Sequence, residues 1–103
     1  MPQTIRRFWG PHQGRVRLNF NWPIINHDSV VLITAAEFAP AAASDEHRFI
    51  GAAAITVEGI APHGPPFDPN HGVTFRVNID WASPILIATD ITVLDDPPVE
   101  IDP

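Results

Sequence analysis

The chain has 103 residues, which is enough for one domain and too few for two. Hydrophobic residues make up 45% of it and charged residues only 17%, so a core can form and part of the surface is expected to be buried between subunits. The formal net charge of −6 without any basic run argues against nucleic acid as a partner, and the absence of cysteine excludes disulfides and thiolate metal sites.

The first third of the chain is predicted to hold an irregular arm and two strands. Twelve prolines and six glycines cut the sequence into short segments rich in β-branched residues, which favours strands over long helices. Residues 1–14 are predicted as an amino-terminal arm, with a sixth strand over residues 3–9 as an alternative. Residues 15–20 alternate apolar and polar side chains, as a half-buried strand does. The second strand, residues 29–38, is apolar on both faces.

The middle of the chain is predicted to hold one more strand between two loops. The first loop covers residues 39–46, with a short helix over residues 41–47 as an alternative. The third strand, residues 48–58, is again apolar on both faces. Residues 59–72 carry so many glycines and prolines that they are predicted to form a long surface loop without regular structure.

Two strands and a tail complete the predicted fold. The fourth strand, residues 73–80, has the clearest alternation, and four of its side chains are expected to point inward: Val73, Phe75, Val77 and Ile79. The fifth strand covers residues 85–94, and residues 97–103 form an acidic, extended tail. These short strands joined by turns predict one antiparallel β-sandwich domain over residues 15–96.

Strands that are apolar on both faces need cover on both faces. A small domain supplies one covering sheet, so the second face is expected to meet another copy of the chain in a closed homo-oligomer. The alternative is that such a strand lies in the middle of a sheet and that its outer face carries only small alanines, which need no cover.

Neither a membrane span nor a leader is predicted from the sequence. No stretch approaches about 18 consecutive apolar residues, and residues 1–7 lack the apolar segment of a signal peptide. An extracellular or cell-surface location would therefore require another route or a leader outside this sequence, and the localisation stays open.

Two residues at strand ends are candidates for ligand binding. Trp81 closes the fourth strand, where an exposed indole would offer an apolar face to a sugar ring and an N–H donor; the alternative is that it caps the core. Arg48 could hold hydroxyls or carboxylates with its five donors, or it could pair with Asp45 or Glu46 at a solvated rim.

The sequence offers no constellation typical of catalysis or metal binding. No two of the five histidines have a spacing expected for zinc, and residues 68–72 lack the acidic residues of a calcium loop. No serine sits in a nucleophile motif. We therefore expect no cofactor, no metal and no enzymatic activity; a small hydrolase is the third-ranked hypothesis.

A series of landmarks between Phe20 and Leu94 resembles a known family. The landmarks are Phe20-Asn-Trp-Pro23, the strand Val30–Thr34, the loop ending in Arg48, the strand into Val57-Glu-Gly59, the strand ending in Trp81 and the last strand, Ile85–Val93. In this order they resemble the H-type lectins, the family that includes snail agglutinins and the carboxy-terminal domain of discoidins. The resemblance covers about three-quarters of the chain.

This resemblance implies a six-stranded antiparallel β-sandwich assembled as a homotrimer or hexamer, with sites for galactose or N-acetylgalactosamine-type sugars at the subunit boundaries. It gives Arg48 the role of bonding sugar hydroxyls and Trp81 that of stacking on the sugar ring, and the loops around His12 and His47 would set specificity. The match has departures: Ala82 stands where the family has a histidine, and residues 1–27 contain no acidic residue to match the family's carboxylate.

The leading hypothesis is therefore a lectin that binds glycans or glycoconjugates at several sites of one assembly. The alternative is a non-catalytic structural or adhesive subunit, similar to a tail-fibre protein, that keeps the oligomer without a sugar site.

Overall fold

The chain folds into two antiparallel β-sheets in a sandwich-like arrangement. A computed structural model describes residues 2–39 and 47–102, and within these ranges it contains seven strands. They are β1 (Gln3–His12), β2 (Gly14–Asn21), β3 (Val30–Ala39), β4 (His47–Phe49), β5 (Ala54–His63), β6 (Gly72–Asp80) and β7 (Ile85–Leu94). One sheet has the order β1-β7-β3-β4 and the other the order β2-β6-β5. The prediction of an all-β, antiparallel, sandwich-like fold is confirmed.

The core lies between the two sheets, and strands β6 and β7 supply most of its buried side chains. The four side chains of β6 that the alternation predicts to point inward are at most 1% exposed. Ile87 and Ile91 of β7 are fully buried in the same core cluster. The buried hydroxyl of Thr89 accepts a hydrogen bond of 2.8 Å from the indole N–H of Trp9 on β1. A polar group in the core is thereby satisfied.

Strand β1 replaces the irregular arm predicted at the amino terminus. Residues 3–12 pair along β7, so the alternative of a strand over residues 3–9 is confirmed and the strand continues to His12. The register shifts between Phe8 and Pro11, which marks a bulge. Pro11 has no N–H to donate, and the edge position of β1 tolerates it.

The predicted third strand is divided between the two sheets. His47–Phe49 pair with β3 as β4, whereas β5 begins at Ala54 and pairs with β6. The prediction of one strand over residues 48–58 is wrong because a run of small apolar residues gives no sign of where the chain leaves one sheet for the other. The described ranges therefore hold seven strands, where six were predicted. The loop predicted over residues 39–46, with its alternative helix, falls on residues outside the described ranges except at its first residue.

Strand β5 also continues into the predicted Pro/Gly loop. Gly59 has a φ of 60°, and the register shifts between Glu58 and Ala61, so a bulge bends the strand without ending it. Pro62 is tolerated because β5 is an edge strand of its sheet. The prediction of an irregular loop over residues 59–72 is therefore wrong for its first part and for Gly72, which begins β6, and it holds for residues 64–71.

The outer face of β3 is partly covered by the chain itself. Val31 and Ile33 point into the core. On the opposite face, Phe38 is buried and its ring meets the ring of Phe8 on β1 edge to face, with 4.7 Å between centroids. Leu32 remains 53% exposed on that face. Part of the apolar surface that was predicted to need a second subunit is thus filled within one chain.

Candidate functional site

The outer face of the four-stranded sheet carries three rows of side chains across β1, β7 and β3. Cross-strand pairing places one residue of each strand in every row. The rows are Thr4–Thr92–Leu32, Arg6–Asp90–Thr34 and Phe8–Ala88–Ala36. The charged row therefore lies between a hydroxyl-bearing row and an apolar one.

Asp90 holds two arginines at the centre of this face. Arg6, directly opposite on β1, donates from Nε to Oδ1 at 2.7 Å and from Nη2 to Oδ2 at 3.0 Å, which is a bidentate contact. Arg48 of β4 donates from Nη1 to Oδ2 at 2.7 Å. We call Arg6, Asp90 and Arg48 the arginine–aspartate triad. Two guanidinium groups and one carboxylate give the triad a formal charge of +1.

The triad keeps the carboxylate of Asp90 ionised. The hydrogen bond from Arg6 lowers the pKa of Asp90 below its ordinary value of 3.8, partial burial opposes this shift, and the charge of Arg48 adds to it. The same hydrogen bond raises the pKa of Arg6. At neutral pH Asp90 is therefore a hydrogen-bond acceptor only.

A shallow cleft opens beside the triad. Arg6, Phe8, His47 and Arg48 line it, and its volume is about 360 Å³. Phe8 is 43% exposed, so one part of its ring packs on Phe38 and another part meets solvent. The cleft thus combines guanidinium donors, an imidazole and an apolar ring.

The triad retains hydrogen-bonding capacity for a ligand. A carboxylate has about four lone-pair positions, and the arginines occupy three of those on Asp90. The contact of Arg48 with Asp90 engages only its Nη1 atom, and 40% of the Arg48 side chain is exposed. One acceptor position of Asp90, whose side chain is 19% exposed, and several donors of Arg48 are therefore not used within the triad.

The structure divides the four residues predicted to bind sugar between two places. Arg48 and His47 line the cleft beside the triad. His12 ends β1, with its Nδ1 2.6 Å from the carbonyl oxygen of Gly10. Trp81 follows the last residue of β6 and is exposed, and it is not among the residues that line the cleft.

His12 and Trp81 lie on neighbouring turns of the sandwich. The link is Gln13, which follows His12 and donates from Nε2 to the carbonyl oxygen of Ala82 at 2.8 Å. The candidate residues therefore define the triad cleft and, separately, a pair of turns between β1 and β2 and between β6 and β7.

Sequence reasoning missed Arg6, Phe8 and Asp90. Asp90 is the only charged residue between Ile85 and Leu94, and a lone charge in the middle of an apolar strand is a signal that could have pointed to it. Arg6 and Phe8 lie two residues apart and so share one face of β1, but this relation is visible only once residues 3–12 are known to form a strand.

No group of three or more potential metal ligands occurs among residues 2–39 and 47–102. In the same ranges no helix is long and apolar enough to cross a membrane.

Comparison of the chain with protein-family models, curated proteins and solved structures gives no match. The resemblance to the H-type lectins therefore stays a prediction.

Replacement of Asp90 by asparagine is expected to remove an acid-sensitive part of the stability. Because folding lowers the pKa of Asp90, its contribution is fully present above the unfolded value near 3.8 and is lost as the pH falls through the lower folded value. The wild type should therefore lose its advantage over Asp90→Asn as the pH is taken from neutral to below 3.8. Urea unfolding of both proteins across this range measures the difference, and a difference that stays constant with pH would contradict the prediction.

Proposed function

We propose that this chain is a carbohydrate-binding protein whose sugar site is the cleft beside the arginine–aspartate triad. The observation that carries the proposal is the presence of an ionised carboxylate, two guanidinium groups and a half-exposed phenyl ring on one outward-facing surface. Sugars present hydroxyls that donate and accept, together with apolar C–H faces. The open acceptor position of Asp90 and the exposed donors of Arg48 suit the hydroxyls, and the ring of Phe8 suits the C–H face.

The same site favours binding over hydrolysis. Glycoside hydrolysis uses a pair of carboxylic groups, one of which must carry a proton. Asp90 is held ionised by two arginines, and no carboxylate is among the described residues that line the cleft itself. The triad therefore lacks a group that could protonate a glycosidic oxygen at neutral pH.

The proposal includes assembly into a homotrimer or hexamer. A shallow, open cleft holds one sugar weakly, and several clefts on one assembly gain affinity through avidity. Leu32, exposed on the same face as the triad, supplies apolar surface for contact between copies. The resemblance to the H-type lectins adds galactose-type glycans as the first ligands to test.

A glycan array with the wild type, Arg48→Gln and Asp90→Asn tests the proposal. Loss of one charge-assisted hydrogen bond removes about 1.5–3 kcal/mol, which is a factor of about ten or more in affinity per site. We expect both variants to lose the array signal of the wild type at neutral pH, because each removes a charged partner of the sugar hydroxyls. Circular dichroism of each variant must show the wild-type β spectrum.

Trp81→Ala and His12→Ala on the same array test the two neighbouring turns, and Phe67→Ala is the matched control because Phe67 is another exposed aromatic residue. Loss of signal with Trp81→Ala alone would move the site from the cleft to the turns. Wild-type binding by both triad variants would contradict the proposal.

A second candidate is a structural or adhesive subunit without a sugar site. It is favoured by the edge of the four-stranded sheet, where Phe49 of β4 and the adjacent Ile50 are exposed to solvent. Apolar side chains at a sheet edge suit contact with another subunit. Native mass spectrometry beside the array separates the two candidates: an oligomer without any glycan signal supports the structural subunit.

A further inference from the structure

The outer face of the three-stranded sheet carries a cluster of positive charge in a chain that is acidic overall. Arg15 and Arg17 on β2 and Arg76 on β6 point outward on this face, so it holds half of the six arginines. Glu58 on β5 is opposite Arg76. Three arginines against Glu58 and Asp80 leave this face with a formal charge of +1, in a chain whose net charge is −6.

Glu58 is ion-paired with one of the three arginines. The Nε atom of Arg15 lies 3.1 Å from Oε1 of Glu58. Asp80 also points outward, but it lies four residues, or about 13 Å, along β6 from Arg76. The excess positive charge is therefore concentrated at Arg17 and Arg76.

Arg17 and Arg76 are direct cross-strand partners. Side chains in this relation have Cβ atoms about 4.5–5.5 Å apart, and like charges placed so are destabilising. Glu58, the partner of Arg76 on β5, is the carboxylate next to this pair, and it is ion-paired with Arg15. A negative group that joined Arg17 and Arg76 would therefore relieve their repulsion.

A cavity next to this pair has room for such a group. It has a volume of about 270 Å³, and its lining includes Arg17, Arg76, Thr74, Ala61 and Gly59. The bulge of β5 at Gly59 shapes one wall, and a Cβ built at Gly59 would meet nothing within 4 Å. The part of the lining that β5 supplies, Gly59 and Ala61, is therefore formed by small residues.

We propose that this cavity binds a tetrahedral oxyanion, the sulfate or phosphate group of an ester, between Arg17 and Arg76. Each guanidinium is a planar fork of donors that bonds two oxygens at once. A tetrahedral group has enough oxygens to accept a bidentate contact from both guanidinium groups, whereas Asp90 of the triad accepts a bidentate contact from Arg6 and a single hydrogen bond from Arg48. The site lies on the other sheet from the arginine–aspartate triad and does not depend on the proposed sugar cleft.

The test is titration calorimetry with sodium sulfate and sodium phosphate, each compared with sodium chloride at equal ionic strength. The wild type should bind both oxyanions and show no heat of binding with chloride. Arg17→Gln and Arg76→Gln should each weaken binding about tenfold or more, because each removes one charged fork. Glucose 6-sulfate and glucose 6-phosphate, with glucose as the blank, then show which ester the site prefers.

Arg48→Gln is the matched control, since it removes one positive charge from the other sheet and should leave oxyanion binding unchanged. Loss of binding in Arg48→Gln would place the anion at the triad and overturn the proposal, as would wild-type affinity in both Arg17→Gln and Arg76→Gln.

Thermal unfolding at low salt supplies a second readout. Arg17→Gln should melt at the wild-type temperature or higher, because it relieves like-charge repulsion. A clear fall in the melting temperature of Arg17→Gln would show that Arg17 supports the fold and would count against an anion site.

Discussion

Replacement of Phe75 by alanine is expected to lower the free energy of unfolding by about 3–5 kcal/mol. Phe75 lies at the centre of β6, is 1% exposed and belongs to the core cluster between the two sheets. Its ring also meets the ring of Trp9 edge to face, with 6.2 Å between centroids. Truncation to alanine therefore removes buried apolar area and the aromatic pair with Trp9, and it leaves a cavity between the two sheets. Urea unfolding followed by tryptophan fluorescence measures the loss.

Phe67→Ala is the control for this substitution. Phe67 is 80% exposed, and its ring contact is with His27 in a neighbouring loop. We expect its replacement to change the stability by about 0.5 kcal/mol. An equal loss of unfolding free energy in Phe75→Ala and Phe67→Ala would show that the core is not where the structure places it.

Replacement of Gly72 by alanine is expected to destabilise the fold by about 2–3 kcal/mol. Gly72 begins β6, where it is paired on one side with Asn21 of β2 and on the other with His63 of β5. A Cβ at this position would lie 2.5 Å from the carbonyl oxygen of Phe20 and 2.8 Å from Cα of Asn21. These are backbone atoms held in a sheet, so relief requires that β2 move away from β6.

Gly10→Ala is the matched control for Gly72→Ala. A Cβ at Gly10 would meet nothing within 4 Å, and Gly10 lies in an edge strand. We expect Gly10→Ala to be neutral within about 0.5 kcal/mol. Comparison of the two melting temperatures tests the contact, and a Gly72→Ala variant as stable as Gly10→Ala would contradict the close approach at β6.

The strands with clear alternation could be predicted from the sequence, and those with bulges could not. Val73, Phe75, Val77 and Ile79 were assigned correctly to the core because period-two patterning identifies a buried face without knowledge of the partner strand. Gly and Pro near residues 10–11 and 59–62 suggested loops, but in the fold they occupy bulges of edge strands, where a missing donor is harmless.

The candidate cleft could be predicted only in part. Arg48 was selected for its donors and its place before an apolar segment, and the structure puts it in a cleft. Its partner Asp90 is 42 residues away, and Arg6 is 84 residues from Asp90. Contacts of this kind depend on which strands become neighbours and in what register, and local spacing carries no information about either.

The position of β7 has a consequence for the kinetics of folding. It is the last strand of the described structure, yet it lies between β1 and β3. Until residues 85–94 arrive, β1 has no neighbour in its sheet, and the pairing of Gln3 with Val93 closes almost the whole chain into a loop. Such distant pairings place the domain with β proteins that fold in roughly milliseconds to seconds. Arg6 and Arg7 place a charge on each face of β1. Charged side chains on an unpaired strand discourage its pairing with other chains before β7 has folded beside it.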